Sequence, residues 1–370
     1  MRIGVPKETA DDEKRVALVP ATVARLTKAG HAVLMERGAG ASAFYPDAEY
    51  EAAGATLVGE DGFGDADVVC RVRRPNRVEL GRLREGAVLA SMLQPATSAP
   101  VLEALAARNI TALAMELVPR TTKAQSMDVL SSQATVAGYQ AVLIGASRLG
   151  RLMPMLTTAA GTLTPSKAFV IGAGVAGLQA IATARRLGAV VSAFDVRPVV
   201  KEQVMSLGAS FVETEAVTAA AEGSGGYAKE LAEEQQQKVL AAIGKHIVDM
   251  DLVITTAQIP GKPAPRLITA EMVAGMRPGS VIMDLAGETG GNCELSAFGA
   301  EVVSGGVTVI APANLPAMLP WHASLMYSRN LQALLEYMVK DGALQFSLED
   351  PIAGPMCVTH GGQVLYGRAS

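Results

Sequence analysis

The chain has 370 residues, of which 49% are hydrophobic and 18% charged, with a formal net charge of −4 and a sequence pI near 5.7. This composition excludes a disordered protein, and the length predicts about two domains, each able to bury its own core. The acidic balance provides no basic field that would attract nucleic acid or anionic lipid.

The first half of the chain alternates short β-branched runs with helical patterns, which predicts a parallel sheet covered by helices. Its amino terminus lacks the apolar core of a signal peptide, so we expect a protein that is not exported. Apolar residues recur at helical spacing over 21–29 and 100–107. Strands are predicted at 2–5, 32–36, 67–72, 88–92 and 112–117.

A proline-free stretch rich in alanine and leucine, 124–151, predicts a long helix that bridges two domains. The small, polar run over 216–225 has no clear periodicity and predicts a mobile loop. Beyond Pro320, a broad apolar stripe predicts a last helix that packs back on the first domain. Strands of the second half are predicted at 168–171, 190–195, 252–255, 281–284 and 307–310.

These elements together predict an α/β fold with two Rossmann-like domains, each a mostly parallel sheet flanked by helices, and a cleft between them. The most apolar stretch, 169–184, is rich in glycine and falls short of the roughly 20 apolar residues that a membrane helix needs. Cys70, Cys293 and Cys357 are widely separated and odd in number, so they suggest neither a disulfide framework nor a metal site. A reducing cytoplasm is the setting that this cysteine usage favours.

A glycine-rich turn follows the strand predicted at 168–171. Gly172, Gly174 and Gly177 fit the pattern G-x-G-x-x-G between a strand and a helix. In that context the first glycine permits a tight turn, the second lets the backbone approach a pyrophosphate, and the third lets helix and strand pack closely. The amino terminus of the helix then offers amide donors to phosphate. The alternative is that these glycines serve close packing alone.

Asp195 ends the next predicted strand, at the spacing of about 20 residues that is typical of the acid binding the ribose hydroxyls of NAD. An acid at this place also repels a 2′-phosphate, which favours NAD over NADP. Arg197 acts against this preference, because a nearby arginine can accommodate the extra phosphate.

A polar segment between the two predicted domains carries Arg120, Gln125, Asp128 and Ser131, where a ligand-binding cleft would form. By itself the segment could equally be a helix amino terminus with a solvated charge pair. Its pattern over 115–133 closely resembles the Arg-Gln-Asp loop of the NAD(H)-binding component of proton-translocating transhydrogenases. The resemblance extends over nearly the whole chain, through 5–8, 15–20, 159–162, 225–230, 255–261, 284–286 and 290–293.

The resemblance implies a role for each of the matching residues. Arg120, Gln125 and Asp128 would be the catalytic set, because they would fix the nicotinamide end of NAD(H), with Ser131 hydrogen-bonding nearby. Tyr227 would belong to a mobile loop that closes over the nucleotide. The rest of the cofactor would be bound by Gly172, Gly174, Val175, Gly177, Asp195, Val196, Arg197 and Gly226.

The resemblance also implies a domain plan and partners. The first domain would comprise 1–130 with 322–370, and the NAD-binding Rossmann domain would comprise 131–321. The chain would be the A-face NADH component of a multi-subunit enzyme, passing hydride to NADP(H) on a partner subunit while a membrane subunit translocates protons. It would form a homodimer, attached peripherally to the cytoplasmic side of the inner membrane through these subunits. No metal is expected, because two nicotinamide cofactors carry the chemistry themselves.

Alanine dehydrogenase, which shares the two-domain fold, is the nearest enzymatic alternative. By resemblance its pyruvate-binding groups would be Arg15, a lysine where Arg73 stands, and a histidine at or near Gln94, while its acid would correspond to Glu288. Glutamine and arginine cannot shuttle a proton near neutral pH, so that chemistry is missing here.

The four histidines do not replace the missing acid and base, because their positions predict surface or cap residues: His31, His246, His322 and, in the tail, His360. Arg15 does not separate the two enzymes, since it could pair locally with the acids of 11–13. A third alternative is a non-enzymatic NAD(H)-binding module, in which Arg120, Gln125 and Asp128 would have no task.

Overall fold

The computed structural model describes residues 1–214, 233–259, 262–340 and 342–367. The chain divides into two compact units, one of Met1–Gln133 with Pro316–Ser370 and one of Ala134–Leu315. Each unit contains its own mostly parallel sheet with helices packed on it, which confirms the predicted α/β fold.

The regular elements of the described residues alternate between strand and helix along most of the chain. The strands are β1 (Arg2–Val5), β2 (Ala32–Glu36), β3 (Thr56–Val58), β4 (Val68–Arg73), β5 (Val88–Met92), β6 (Thr111–Ala114), β7 (Leu156–Thr158), β8 (Gly161–Leu163), β9 (Lys167–Ile171), β10 (Val190–Phe194), β11 (Ser210–Phe211), β12 (Leu252–Thr255), β13 (Val281–Asp284), β14 (Ala300–Ser304), β15 (Val307–Ala311), β16 (Val339–Lys340), β17 (Ala343–Leu344), β18 (Cys357–His360) and β19 (Gln363–Val364). The α-helices are α1 (Pro20–Lys28), α2 (Asp47–Ala52), α3 (Arg77–Gly81), α4 (Ala99–Ala107), α5 (Val129–Arg148), α6 (Val175–Arg186), α7 (Lys201–Ser206), α8 (Glu233–Ile247), α9 (Ala270–Ala274), α10 (Pro320–Met338) and α11 (Ala353–Met356).

The sheet of the first unit has the order β19-β18-β6-β5-β4-β1-β2-β3. Strands β1 to β6 are parallel, whereas β18 pairs antiparallel with β6 and β19 with β18. The strand predicted at 112–117 ends early, at Ala114, because a 3-10 helix, Met115–Leu117, follows directly. Within this turn Glu116 accepts hydrogen bonds from the amides of Leu93 and Gln94, at the end of the neighbouring strand.

Helix α10 packs within the first unit, as its apolar stripe predicts. Tyr327, Leu331 and Leu334 are fully buried in the core of this unit. Two small polar side chains on the same helix also bind the segment before α1: Ser324 accepts from the amide of Val16 and Ser328 from the amide of Val19. The helix therefore combines apolar burial with hydrogen bonds to backbone that lies outside the sheet.

The sheet of the second unit has the order β11-β10-β9-β12-β13-β15-β14, and all its pairings are parallel except that of β14 with β15. Its strands are fully buried over most of their length, which is typical of a parallel sheet covered on both faces. All five strands predicted for this half are present, with bounds shifted by one residue at most. Strands β11 and β14, and the separate hairpin β7–β8, were not predicted.

The long helix predicted over 124–151 is shorter in the structure. Its first residues form a 3-10 helix, Gln125–Met127, and α5 begins only at Val129. The Asp128 carboxylate accepts hydrogen bonds from the amide and the hydroxyl of Ser131, at 2.8 and 2.6 Å, as an N-cap residue does. The mobile loop predicted at 216–225 lies outside the described residues.

Candidate functional site

The glycine-rich turn joins β9 to α6 in the second unit, as the pattern predicts. Gly172 has φ of +96°, and a Cβ at this residue would lie 2.7 Å from Thr256 Oγ1. A Cβ at Gly177 would lie 1.9 Å from the carbonyl oxygen of Gly172. A Cβ at Gly174 would meet no described atom within 4 Å, so the backbone there faces open space. Gly172 and Gly177 are thus required by packing, whereas Gly174 leaves room for a ligand.

The amino terminus of α6 lies at this turn. Gly174 is the N-cap residue and, without a side chain, leaves the first amides of the helix without a side-chain acceptor. Val175, the first helical residue, is 39% exposed. An anion bound next to Gly174 would therefore meet amide donors and the positive end of a 12-residue helix.

Asp195 follows β10 directly and is buried beside the glycine-rich turn. Its Oδ2 accepts a hydrogen bond of 2.7 Å from the amide of Ala173, which ties the acid to the turn. Both carboxylate oxygens also bind the Arg197 guanidinium, at 2.9 and 2.7 Å, and Oδ1 accepts from the Arg197 amide. Val196, between them, is half-buried against the core.

The ion pair between Asp195 and Arg197 changes how Arg197 bears on cofactor choice. The guanidinium is directed at an internal carboxylate, with only 13% of the side chain exposed. A 2′-phosphate would have to compete with Asp195 for this cation and would meet the negative charge of that acid. The geometry therefore favours a nucleotide without a 2′-phosphate.

Two polar side chains that the sequence analysis did not single out hold the loop after β12 against this turn. Thr256 Oγ1 donates to the carbonyl oxygen of Gly172 at 2.9 Å. Asn292 is fully buried and binds both the amide and the carbonyl oxygen of Ala257, at 3.1 and 2.9 Å. The only sequence signal for them was that both lie in stretches of family resemblance.

In the first unit, the predicted polar segment forms a surface turn before α5. Arg120 and Gln125 are exposed, and Asp128 and Ser131 are half-buried at the start of the helix. The hydrogen bonds from Ser131 to Asp128 bear out the plainer structural interpretation, in which the segment is a helix amino terminus. This capping role does not exclude a second role, because a carboxylate has about four acceptor sites.

Helix α10 holds this turn at two points. Asn330 donates from Nδ2 to the carbonyl oxygen of Ser126 at 2.7 Å and accepts at Oδ1 from the hydroxyl of Ser132 at 2.7 Å. The Lys123 ammonium lies 4.9 Å from the centre of the Tyr337 ring. The sequence analysis did not identify Asn330, because it lies about 200 residues from its partners.

A buried charged network lies in the same unit. Arg15 binds both oxygens of Glu13, at 2.7 and 2.6 Å, and donates to Gln133 Oε1 at 2.8 Å. Arg73 pairs with Glu13 and with Asp12, at 3.2 and 2.6 Å. Arg15 therefore does pair locally, as one of its sequence interpretations held.

Gln94 has a left-handed backbone, with φ of +49°, at the end of β5. A titratable neighbour is Glu116, whose Oε1 accepts the amides of Leu93 and Gln94, and burial raises the pKa of this acid. A carboxyl group already bound to two amides is a structural group rather than a replacement for a catalytic histidine.

The four histidines lie in separate elements. His246 Nε2 is 2.7 Å from Ser192 Oγ, and burial, followed by the charge of Lys167, lowers its pKa. His322 stacks edge-on against its neighbour Trp321. His360 belongs to β18 rather than to an irregular tail, and its Nδ1 is 2.9 Å from Thr111 Oγ1. In the part of the chain that the structure describes, no group of three His, Cys, Asp or Glu side chains is arranged to hold a metal ion.

The candidate residues thus form two groups, one in each unit. Gly226 and Tyr227 lie outside the described residues. The group in the first unit is Arg120, Gln125, Asp128 and Ser131. The group in the second unit is Gly172, Gly174, Val175, Gly177, Asp195, Val196 and Arg197.

A dinucleotide turn with its acid, in a chain of two α/β units, defines the class of protein. The chain belongs to the alanine dehydrogenase/PNT family, whose N-terminal domain matches residues 4–137 and whose C-terminal domain matches residues 141–367. Within that family it is a homologue of the alpha subunit of NAD(P) transhydrogenase, which confirms the resemblance seen in its sequence.

Three relatives show the range of similarity. An NAD(P) transhydrogenase alpha subunit of Rhodospirillum rubrum is 49% identical, and the alignment covers 99% of this chain and 98% of that one. The crystal structure of transhydrogenase from Sinorhizobium meliloti has a TM-score of 0.91 and 46% identity, covering 99% of this chain and 100% of that chain. The alanine dehydrogenase of Mycobacterium tuberculosis is more distant, with 36% identity over 79% of this chain and 74% of its own length. None of the described helices is both long enough and apolar enough to cross a membrane.

Proposed function

We propose that this chain is the NAD(H)-binding subunit of a proton-translocating NAD(P) transhydrogenase, which passes hydride between NADH bound here and NADP bound on a partner subunit. The observation that carries the proposal is the dinucleotide turn with Asp195, in a chain that aligns almost end to end with a transhydrogenase subunit. The turn supports binding of NAD(H), and the alignment supports the reaction.

The second unit would bind the adenosine and pyrophosphate end of the cofactor. Gly174 and Val175 would present amides to the pyrophosphate, while Asp195 would accept from the ribose hydroxyls. Gly172 and Gly177 would keep the turn tight enough for this approach. Val196, Arg197, Gly226 and Tyr227 would complete the site.

The first unit would bind the nicotinamide end through Arg120, Gln125, Asp128 and Ser131. NADH supplies the hydride, and transfer to a second nicotinamide ring needs no proton donor or acceptor on the protein. What the protein must supply is position, because reacting carbons have to approach to about 3 to 3.5 Å. Arg120 and Gln125 are exposed and so can reach a ligand, whereas Asp128 is held rigidly by the start of α5.

The proposal includes three protein partners. An NADP(H)-binding subunit would accept the hydride from one face of the nicotinamide, and a membrane subunit would couple this transfer to proton translocation. The chain would attach to the cytoplasmic side of the membrane through these subunits.

The third partner would be a second copy of this chain, and hairpin β7–β8 supports that contact. Both of its strands are exposed along their whole length, including the apolar side chains of Leu156 and Leu163. An isolated two-stranded hairpin is only marginally stable in water, so a second surface would stabilise it.

Alanine dehydrogenase activity is the second candidate, favoured by the shared family and by the presence of Arg15. Against it, Arg73 and Gln94 replace the groups that would titrate near neutral pH, and Arg73 is engaged by Asp12 and Glu13. Glu288, the nearest counterpart of the dehydrogenase acid, lies in a 3-10 helix after β13. A non-enzymatic NAD(H)-binding module is the third candidate.

The decisive experiment mixes the purified chain with its NADP(H)-binding subunit and follows hydride transfer from NADH to NADP. NADH deuterated on one or the other face at C4 shows which hydrogen moves. We expect fast transfer that requires the partner and falls sharply in Asp128→Asn and Gln125→Asn. Asp61→Asn, an exposed acid outside both groups, is the matched control. Partner-free oxidation of NADH with pyruvate and ammonium would instead identify an alanine dehydrogenase, and nucleotide binding without either reaction a binding module.

A further inference from the structure

Asn330 is the residue that joins α10 to both sides of Asp128. Its Nδ2 donates to the carbonyl oxygen of Ser126, two residues before Asp128, and its Oδ1 accepts from the hydroxyl of Ser132, four residues after it. The residue is 7% exposed, and both ends of its amide are used. One side chain from a distant helix therefore sets the spacing between the 3-10 turn and the start of α5.

The segment from Arg120 to Asp128 contains little regular structure. Its one regular element is the three-residue 3-10 helix Gln125–Met127, which is too short to be stable by itself. Arg120 and Gln125 are exposed, so burial does not position their backbone. The buried anchors Ala124 and Met127 fix the depth of the turn, but an apolar contact has no direction.

The chemistry of Asn330 suits this task in a way that other residues would not. Ser126 offers a carbonyl oxygen and Ser132 a hydroxyl that also accepts from the Gln133 side chain, so the bridge needs one donor and one acceptor on adjacent atoms. An aspartate would keep the acceptor but place an oxygen against the carbonyl of Ser126. An alanine would leave that carbonyl without its buried donor.

The same helix contacts the turn a second time, two helical turns beyond Asn330. The Tyr337 ring lies beneath the Lys123 ammonium, and its hydroxyl donates to Asp350 at 2.7 Å. This contact is at the surface, where a cation–π pair contributes little. Asn330 is therefore the principal anchor, and Tyr337 limits the freedom of the segment at Lys123.

We infer that Asn330 is a positioning residue for the nicotinamide end of the cofactor, holding Arg120, Gln125 and Asp128 in the arrangement that binds the ring. This inference rests on the proposed function, because it assigns the loop to the nicotinamide. It predicts that Asn330 acts on the part of the cofactor bound by the first unit and leaves the part bound by the second unit unchanged.

The test compares two ligands in the full-length chain. NADH carries the nicotinamide, and ADP-ribose lacks it but keeps the adenosine and pyrophosphate. In Asn330→Ala and Asn330→Asp we expect the affinity for NADH to fall about tenfold, the effect of one lost buried hydrogen bond, and that for ADP-ribose to change less than about twofold. Titration of NADH fluorescence and competition by ADP-ribose give both constants.

Ser328→Ala is the matched control, because Ser328 is a buried polar residue on the same helix that binds Val19 and Thr22 instead of the turn. It should lower the melting temperature as the Asn330 variants do, yet leave the ratio of the two affinities unchanged. Asp128→Asn serves as the reference for a perturbed loop.

The outcomes separate the inference from the proposed function. If Asp128→Asn changes the ratio and the Asn330 variants do not, the positioning role is wrong. If none of these variants changes it, both the loop assignment and the positioning role fail. If the ratio changes as expected but the wild-type chain transfers no hydride to its partner, the proposed function fails and the positioning role stands.

Discussion

The replacement Asp195→Asn separates the charge of this side chain from its shape. Oδ1 accepts from the amide and Nε of Arg197, and Oδ2 accepts from the amide of Ala173 and a terminal nitrogen of Arg197. In either orientation, the amide nitrogen of an asparagine would face two of these donors. At least one buried donor would then lose its acceptor.

The size of the effect follows from these contacts. A buried donor without an acceptor costs about 1 to 3 kcal/mol. The Ala173 amide cannot move, whereas the Arg197 side chain can turn toward solvent, so we expect a loss of about 2 kcal/mol. In a unit of this size that lowers the melting temperature by about 4 to 8 °C.

Nucleotide preference should change more than stability does. NADH loses a charged acceptor for its ribose hydroxyls, which weakens binding by about 10- to 100-fold. NADPH no longer meets a negative charge, and Arg197 becomes available to its 2′-phosphate, so its affinity should rise. Fluorescence titration of both nucleotides measures the ratio of the two dissociation constants.

Asp251→Asn provides a control with similar geometry. Asp251 is equally buried, pairs with Arg151 at 2.5 Å and accepts from the amide of Lys167 at 2.8 Å, but lies in neither candidate group. It should lose comparable stability and keep the preference for NADH. An unchanged preference in Asp195→Asn, or an equal change in Asp251→Asn, would refute the role given to Asp195.

Three further predictions concern the glycine turn, the helix cap and a buried histidine. Gly177→Ala should abolish NADH binding and lower the melting temperature, because its Cβ would lie 1.9 Å from the Gly172 carbonyl; Gly174→Ala should fold normally but bind NADH weakly. Normal NADH titration of Gly177→Ala would contradict this. Asp128→Ala should cost about 1 kcal/mol of unfolding free energy through the lost N-cap, whereas Asp128→Asn should keep that stability, measured by thermal unfolding. Burial, and then Lys167, lowers the pKa of His246 below its ordinary 6.5, so the unfolded chain binds the proton more readily; stability should fall as pH drops below about 6.5. His246→Gln should show a smaller drop in melting temperature between about pH 7.5 and 5.5, and an identical drop would count against this origin.

The parts of the fold that the sequence predicted are those with a local cause. A parallel strand buried on both faces reads as a short apolar run, and β9, β12 and β13 were found within one residue. The strands that were missed are short or lie at an edge. β18 and β19 join β6 only after the chain has passed through the second unit, and no local periodicity encodes such a pairing.

The same division holds for the candidate site. The glycine pattern by itself determined the turn at Gly172 and Gly177, because the close approach of a helix to a strand leaves no space for a Cβ there. What only the tertiary structure decided is which polar groups meet. Arg197 could have served a 2′-phosphate, and it is the ion pair with Asp195 that directs it elsewhere. Asn330 showed no signal in the sequence, because hydrogen bonds between residues about 200 positions apart depend on how the chain folds back and not on any local pattern.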